Sequence, residues 1–273
     1  MRADRRRAAP VAIVALLAGA AAVLPLALLV VTGGTSPEQF AARGIGLPDP
    51  WTAANLAALL RQPDVLLQPM LTTAAATAVV TAVQLLSSVL AAYVFVRIRF
   101  PGRGLLLAIT VAGYLVPPVV TLLPVFLAFS AVGIAGGFLS LVLPSALASP
   151  FAVLLLRQWI AGMPSELFDA AELDGAGHLT VLRRLVVPLS APAITAAALA
   201  AAVSTWNSYL WPRLIAGVRL PQLQVAMAGL QTEHQDNWTL VMAAAAIAVA
   251  PPIAATLLLS RRLIATFGLG RRP

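Results

Sequence analysis

The sequence predicts an all-α membrane protein with six transmembrane helices. Of its 273 residues, 60% are hydrophobic and only 10% are charged. Six uncharged stretches are each long enough to cross a bilayer, and the arginines between them fall mostly on one side. A soluble domain carries about 25% charged residues, so this chain has too few polar groups to cover a water-facing surface. Its mean hydropathy of +0.91 equally excludes a disordered polymer. Alternating strand patterns are absent, which removes a β-barrel.

The spans are residues 11–31, 69–96, 105–132, 138–156, 189–211 and 238–259, none containing Asp, Glu, Arg or Lys. A helix needs ~20 apolar residues to cross ~30 Å of hydrocarbon. The fourth span is the tightest fit, and the second and third have length to spare for tilt or interfacial turns. The first follows Arg5, Arg6 and Arg7 and includes Ala18-Gly19-Ala20, as a signal peptide would. Its apolar run continues to Val31, beyond the ~7–15 residues of a signal core, so a retained helix is expected. Pro25 is expected to kink rather than break it. Pro37, Pro48, Pro50 and Pro63 mark residues 32–68 as an external loop, with a short turn near residues 55–60. Pro117-Pro118 should interrupt the third span and free backbone carbonyls.

All 18 basic residues are arginine. Fourteen lie at the N-terminus, after the second span, between the fourth and fifth, and after the sixth. Arg43, Arg61, Arg213 and Arg219 lie on the other side, while the ten acids divide evenly. This asymmetry puts both termini in the cytoplasm. It also turns the net charge of +8 and pI near 11.5 away from nucleic acid and toward membrane topology. Without Lys there is no P-loop and no Schiff base; without Cys there is no disulfide or thiolate metal site. His178 and His234 alone cannot make a convincing metal site, and His234 reads as exposed and uninvolved.

No ionisable side chain falls inside a span, which disfavours a proton-coupled carrier and leaves no acid–base pair for an intramembrane enzyme. Sodium sites can be built from carbonyls and hydroxyls, so a self-contained secondary transporter or channel stays as an alternative. Uphill transport would need another polypeptide to supply energy, and hence a docking surface.

The long cytoplasmic loop, residues 157–188, offers one. Pro164 and Ser165 begin a short helix with Ser165 as N-cap and Glu166 in its first turn. Gly175 after Asp174 supplies the stop. Glu166, Asp169 and Glu172 recur every third residue, and like charges so placed cost the helix roughly 0.2–0.5 kcal/mol per pair. An acidic helix with small Ala170 and Ala171 suits a basic partner better than a lipid surface, which favours Arg-rich helices. Residues 179–187 form a second helix into the fifth span, and its Arg183 and Arg184 are an alternative answer to those acids.

Asp169-Ala170-Ala171, Asp174-Gly175-Ala176 and Pro188-Leu189 together resemble the EAA motif of binding-protein-dependent ABC importer permeases. Phe100-Pro101-Gly102-Arg103, the run Trp206 to Pro212 and the closing Arg261-Arg262 to Gly268-Leu269 extend the resemblance to the carbohydrate-uptake branch, similar to maltose and glycerol-3-phosphate permeases. Asp169 stands where the motif has Glu, shortening the reach by one methylene, and the usual Lys-Gly ending is missing. The resemblance implies a type I importer permease fold as one transmembrane domain over residues 1–273 in a bacterial-type inner membrane. It implies a second permease subunit, an ATPase dimer that binds ATP and Mg, and an extracytoplasmic solute-binding protein, with no cofactor in this chain. Glu166, Asp169, Ala170, Ala171, Asp174, Gly175 and Ala176 would then form an ATPase-coupling helix. The implied cargo is a sugar or polyol, or alternatively glycerol-3-phosphate or a glycerophosphodiester.

Tyr114, Trp206, Asn207 and Tyr209 are polar-aromatic groups on apolar spans and are candidate cargo contacts. An interfacial aromatic belt of Trp206, Tyr209 and Trp211 is the competing reading. Residues 212–237 read as a solvated outer loop or a contact for the binding protein. Arg213 would assist a phosphorylated cargo.

Overall fold

The computed structural model describes residues 2–216 and 220–268, and the side chains of 13–216 and 220–259. Arg219 and Leu269, named above, and Arg271 and Arg272, counted above after the sixth span, lie outside the described residues. Helices run in the order α1 (Arg2–Gly33), α2 (Pro37–Arg43), α3 (Ala54–Arg61), α4 (Leu67–Arg97), α5 (Arg103–Leu115), α6 (Pro118–Ala131), α7 (Phe138–Ala146) and α8 (Pro150–Ala161). They continue as α9 (Ser165–Leu173), α10 (His178–Val181), a π-helical segment (Leu182–Val186), α11 (Val187–Leu189), α12 (Ala191–Trp206), α13 (Leu210–Ile215), α14 (Leu223–Glu233) and α15 (Trp238–Gly268). No strand occurs among the described residues.

The residues gather into two compact units. The first holds the described residues up to Gln68 together with Ala226–Pro251. Here α1 runs unbroken through Pro25. Residues 32–68 are more ordered than a solvated loop. Ser36 caps α2 by accepting a hydrogen bond from the Gln39 N–H at 3.1 Å. Buried Asn55 on α3 donates to the Gly33 and Thr35 carbonyls, both at 2.9 Å, and accepts from Thr239 at 3.3 Å. One amide thus ties α3 to the end of α1 and the start of α15. Gly33 allows that approach, because a Cβ there would lie 2.8 Å from the Ala243 Cα. Small residues permit such close crossings between apolar helices. His234 is half-buried with its Nδ1 enclosed and unpartnered, which corrects the expectation of an exposed side chain: α14 folds the polar stretch into the unit.

The second unit holds Pro69–Val225 and the described residues from Pro252 onward. Its long helix α4 matches the second expected span. The third expected span is not one crossing helix, since α5 and α6 meet at 101°. Pro118 has no N–H, and extended Pro117 begins the new helix, so the two prolines turn the chain rather than merely kinking it. Residues 138–161 form a 24-residue span built from α7 and α8, extending past the expected end at 156. It is interrupted at Leu147 to Ser149, where Pro150 forces extended Ser149. Helix α4 satisfies the gap: Gln84 Nε2 donates to the Ser145 carbonyl at 2.7 Å, and Ser88 Oγ accepts from the Ser149 N–H at 3.2 Å. Irregular backbone at membrane depth needs such partners.

The fifth expected span is α12 alone, preceded by the α10–α11 rod at a 77° bend. It stops at Trp206, five residues early, because the Ser208 N–H turns back to the Thr205 carbonyl and α13 starts a new axis. Residues 212–237 are correspondingly helical in part, through α13 and α14, rather than open loop.

Candidate functional site

The acidic helix α9 owes its position to Phe168. This ring is 3% exposed and packs among Val89 and Tyr93 of α4, Leu156 and Ile160 of α8, and Val181, Leu182 and Val186. Burying such a side chain contributes about 1.5–3 kcal/mol. The Arg97 guanidinium stacks on the same ring, 4.0 Å from its centroid, adding ~0.5–2 kcal/mol of cation–π attraction. Beside it the Tyr93 hydroxyl meets His178 Nδ1 at 3.0 Å, with the rings edge to face. A single helix face therefore fastens α9 to α4 and α10.

The C-terminal stop forms as the sequence predicts. Gly175 has φ +72°; its N–H donates to the Glu172 carbonyl at 3.0 Å and the Ala176 N–H to the Ala171 carbonyl at 2.9 Å. These two bonds make a Schellman motif, which closes the helix where a residue with a Cβ would be strained. The N-terminus differs by one residue. Pro164 occupies the cap position and Ser165 makes no capping bond, because proline's fixed φ already starts the turn.

Glu166, Asp169, Ala170, Asp174 and Gly175 are exposed, whereas Ala171 and Ala176 are half-buried against the core that holds Phe168. Ala170 therefore faces outward and Ala171 inward. Among the described residues none of these carboxylates pairs with a basic side chain, so Arg183 and Arg184, themselves exposed, do not answer the acids. Leu173 stands 90% exposed at the tip. Sequence reasoning missed Phe168 and Leu173; the signal was two bulky apolar residues five apart on a nine-residue helix, one facing in and one out.

A second candidate region is a cavity of about 540 Å³ in the second unit. It lies at the α7–α8 interruption and is walled by Gln84, Ser145, Ser149, Ser204, Thr205, Ser208 and Gln222 among apolar residues. An adjoining hollow of about 560 Å³ shares Ser145, Ser204, Ser208 and Trp211 with it and includes Asn207 and Tyr209. The four aromatic and amide candidates thus separate. Asn207 and Tyr209 reach the hollow, while Trp206 is 7% exposed and lines neither space, and Tyr114 is exposed on α5 away from both. Trp211 donates from Nε1 to the Ser140 carbonyl at 3.0 Å and meets Phe129 edge to face. With Trp206 and Trp211 packed inward, these residues do not form a lipid-facing belt. The serines, threonines and glutamines of the wall were overlooked because each is unremarkable alone in an apolar span; only folding brings them together.

The model of the family described as "binding-protein-dependent transport system inner membrane component" matches residues 84–266, two-thirds of the chain and the whole of α9 and its supports. The chain belongs to this family. It is accordingly a multi-pass membrane protein of a transport system. It is 34% identical over 176 residues to the osmoprotective compounds uptake permease protein GgtD of Synechocystis sp., covering 63% of this chain and 59% of that protein. To the sn-glycerol-3-phosphate transport system permease protein UgpE of Yersinia enterocolitica it is 32% identical, over 64% of this chain and 63% of the relative. The arabinooligosaccharides transport system permease protein AraQ of Halalkalibacterium halodurans is 26% identical, over 70% and 69%. The chain thus spans about three-fifths of the first of these relatives. Its fold is shared with a chain of a bacterial ABC transporter involved in import of the acidic polysaccharide alginate, at a TM-score of 0.81 and 21% identity, covering 96% of this chain and 98% of that one.

Proposed function

We propose that the chain is one of two permease subunits of an ATP-driven importer and that α9 is its coupling helix. The observation that carries this reading is the anchoring of Phe168, which leaves unpaired acids and Leu173 facing outward on a helix fixed to α4 and α10. A basic cleft on a cytoplasmic ATPase subunit is the complement of that face. Closure of an ATPase dimer, with ATP and Mg bound there, would push α9; the Phe168 core would pass the movement to α4, α8 and the rod leading into α12. A solute-binding protein outside the bacterial inner membrane would deliver the cargo.

For the cargo, a neutral sugar or polyol suits walls of hydroxyls and amides with no charged side chain, and the arabinooligosaccharide relative supports the class. A glycerol-3-phosphate-like solute is the second reading. It is favoured by Arg213, whose guanidinium sits 5.8 Å over the Tyr209 ring at the hollow, and by the similarity to the sn-glycerol-3-phosphate permease.

Co-purification tests the coupling reading. The chain, expressed with its permease and ATPase partners, should hold the ATPase, and Asp174→Arg with Gly175→Val should lose it while the permease pair remains together. Solute flux through the isolated chain in liposomes, without ATPase, would overturn the reading in favour of a self-contained carrier or channel.

A further inference from the structure

We propose that the elbow between α5 and α6 is a contact surface for the second permease subunit, whose membrane helices supply hydrogen-bond donors to it. This rests on the importer reading above and names the face of this chain that its partner covers. No residue of α5 or α6 is buried, and the two helices meet at 101°. At their junction Val116 is extended, and Pro117 and Pro118 have no N–H to give. Among the described residues the carbonyls of Gly113, Tyr114, Leu115 and Val116 accept no hydrogen bond. The Tyr114 hydroxyl, on a side chain 57% exposed, has no partner there either.

These groups lie where lipid cannot serve them. Helix α5 has 13 residues, about 20 Å of rise, so from Arg103 at a membrane face it carries the elbow well into the ~30 Å of hydrocarbon. Irregular backbone at that depth persists only inside protein or beside a water-filled cavity. The four residues line neither of the two hollows described above, and acyl chains offer no donor. A neighbouring membrane helix with hydroxyl or amide side chains does, and the importer reading supplies one in the second permease. Ala112 and Gly113 are small and exposed, and a Cβ on Gly113 would meet nothing of this chain within 4 Å. A foreign helix can therefore approach the carbonyls closely. Tyr114, which reaches neither hollow, then lies at the subunit seam.

The test uses the whole transporter, co-expressed with a tagged second permease and the ATPase. The photoreactive amino acid p-benzoylphenylalanine in place of Leu115, which is 73% exposed, should cross-link to the second permease on illumination. A cross-link only to lipid, within this chain or to a second copy of it would overturn the assignment. Gly113→Leu crowds the seam without touching this chain's own packing. Recovery of the second permease with this variant should fall about tenfold, the scale of overpacking a close contact. The variant chain alone should melt no lower than the wild type, because leucine favours a helix. Unchanged recovery, or a loss matched by a lower melting temperature, would equally strike the proposal. A wild-type chain that holds neither a second permease nor an ATPase would instead strike the importer reading on which the seam depends.

Discussion

Phe168 and Gly175 set the geometry of α9 from opposite ends of the same short helix. Removing the buried ring by Phe168→Ala should cost about 3–5 kcal/mol, read as a lower melting temperature of the purified permease, with Phe168→Leu much milder. Gly175→Ala places a Cβ at φ +72°, a conformation that costs L-residues roughly 1–2 kcal/mol. The space around Gly175 is open, so the loss should come from backbone strain and not from a clash. Asparagine, which tolerates the left-handed region, should restore most of the stability in the same melting assay. Gly175 was legible in the sequence because a helix stop is a local signal, placed directly after Asp174. Phe168 was not, because its partners Val89 and Leu156 come from distant helices. Gln222 was less legible still, since its bond to Thr73 joins residues 149 apart.

At the scale of elements, the interrupted span α7–α8 depends on α4. Ser88→Ala would remove the side-chain partner of the half-buried Ser149 N–H, at a cost of about 0.5–1.5 kcal/mol. Hydrogen exchange at Ser149 should accelerate relative to the middle of α8, and unchanged protection there would mean that another group fills the role of Ser88. The sequence marked the break at Pro118, and Pro150 carries the same signal inside a stretch read as one span, but neither gives an angle. Proline states that a helix cannot continue with its ordinary bonding, while the 101° between α5 and α6 depends on distant partners: Phe126 and Phe129 of α6 pack against Ala76, Val80 and Leu141. The early end of α12 at Trp206 has the same origin: apolarity continued to Trp211, yet the turn at Ser208 won.

For the whole molecule, the arginine distribution predicts on which face each exposed segment lies. The sequence contains no cysteine, so single substitutions can be labelled without background. Leu47→Cys, at an exposed position before α3, should react with an impermeant thiol reagent in intact cells. Leu173→Cys should react only after the membrane is opened; labelling of Leu173→Cys from outside would reverse the topology. The number of apolar stretches and their order were legible, because hydropathy is a property of composition. Which stretches stay straight was not. The π-helical segment Leu182–Val186 bears on the whole relation between α9 and α12. A π turn holds about one residue more than ordinary winding, and each residue of an α-helix advances the azimuth by about 100°. Deleting Arg183 would let the rod relax to regular pitch while the residues beyond it keep nearly their present azimuth, so the segment takes up one residue that regular winding would turn into a rotation of about 100° of everything downstream.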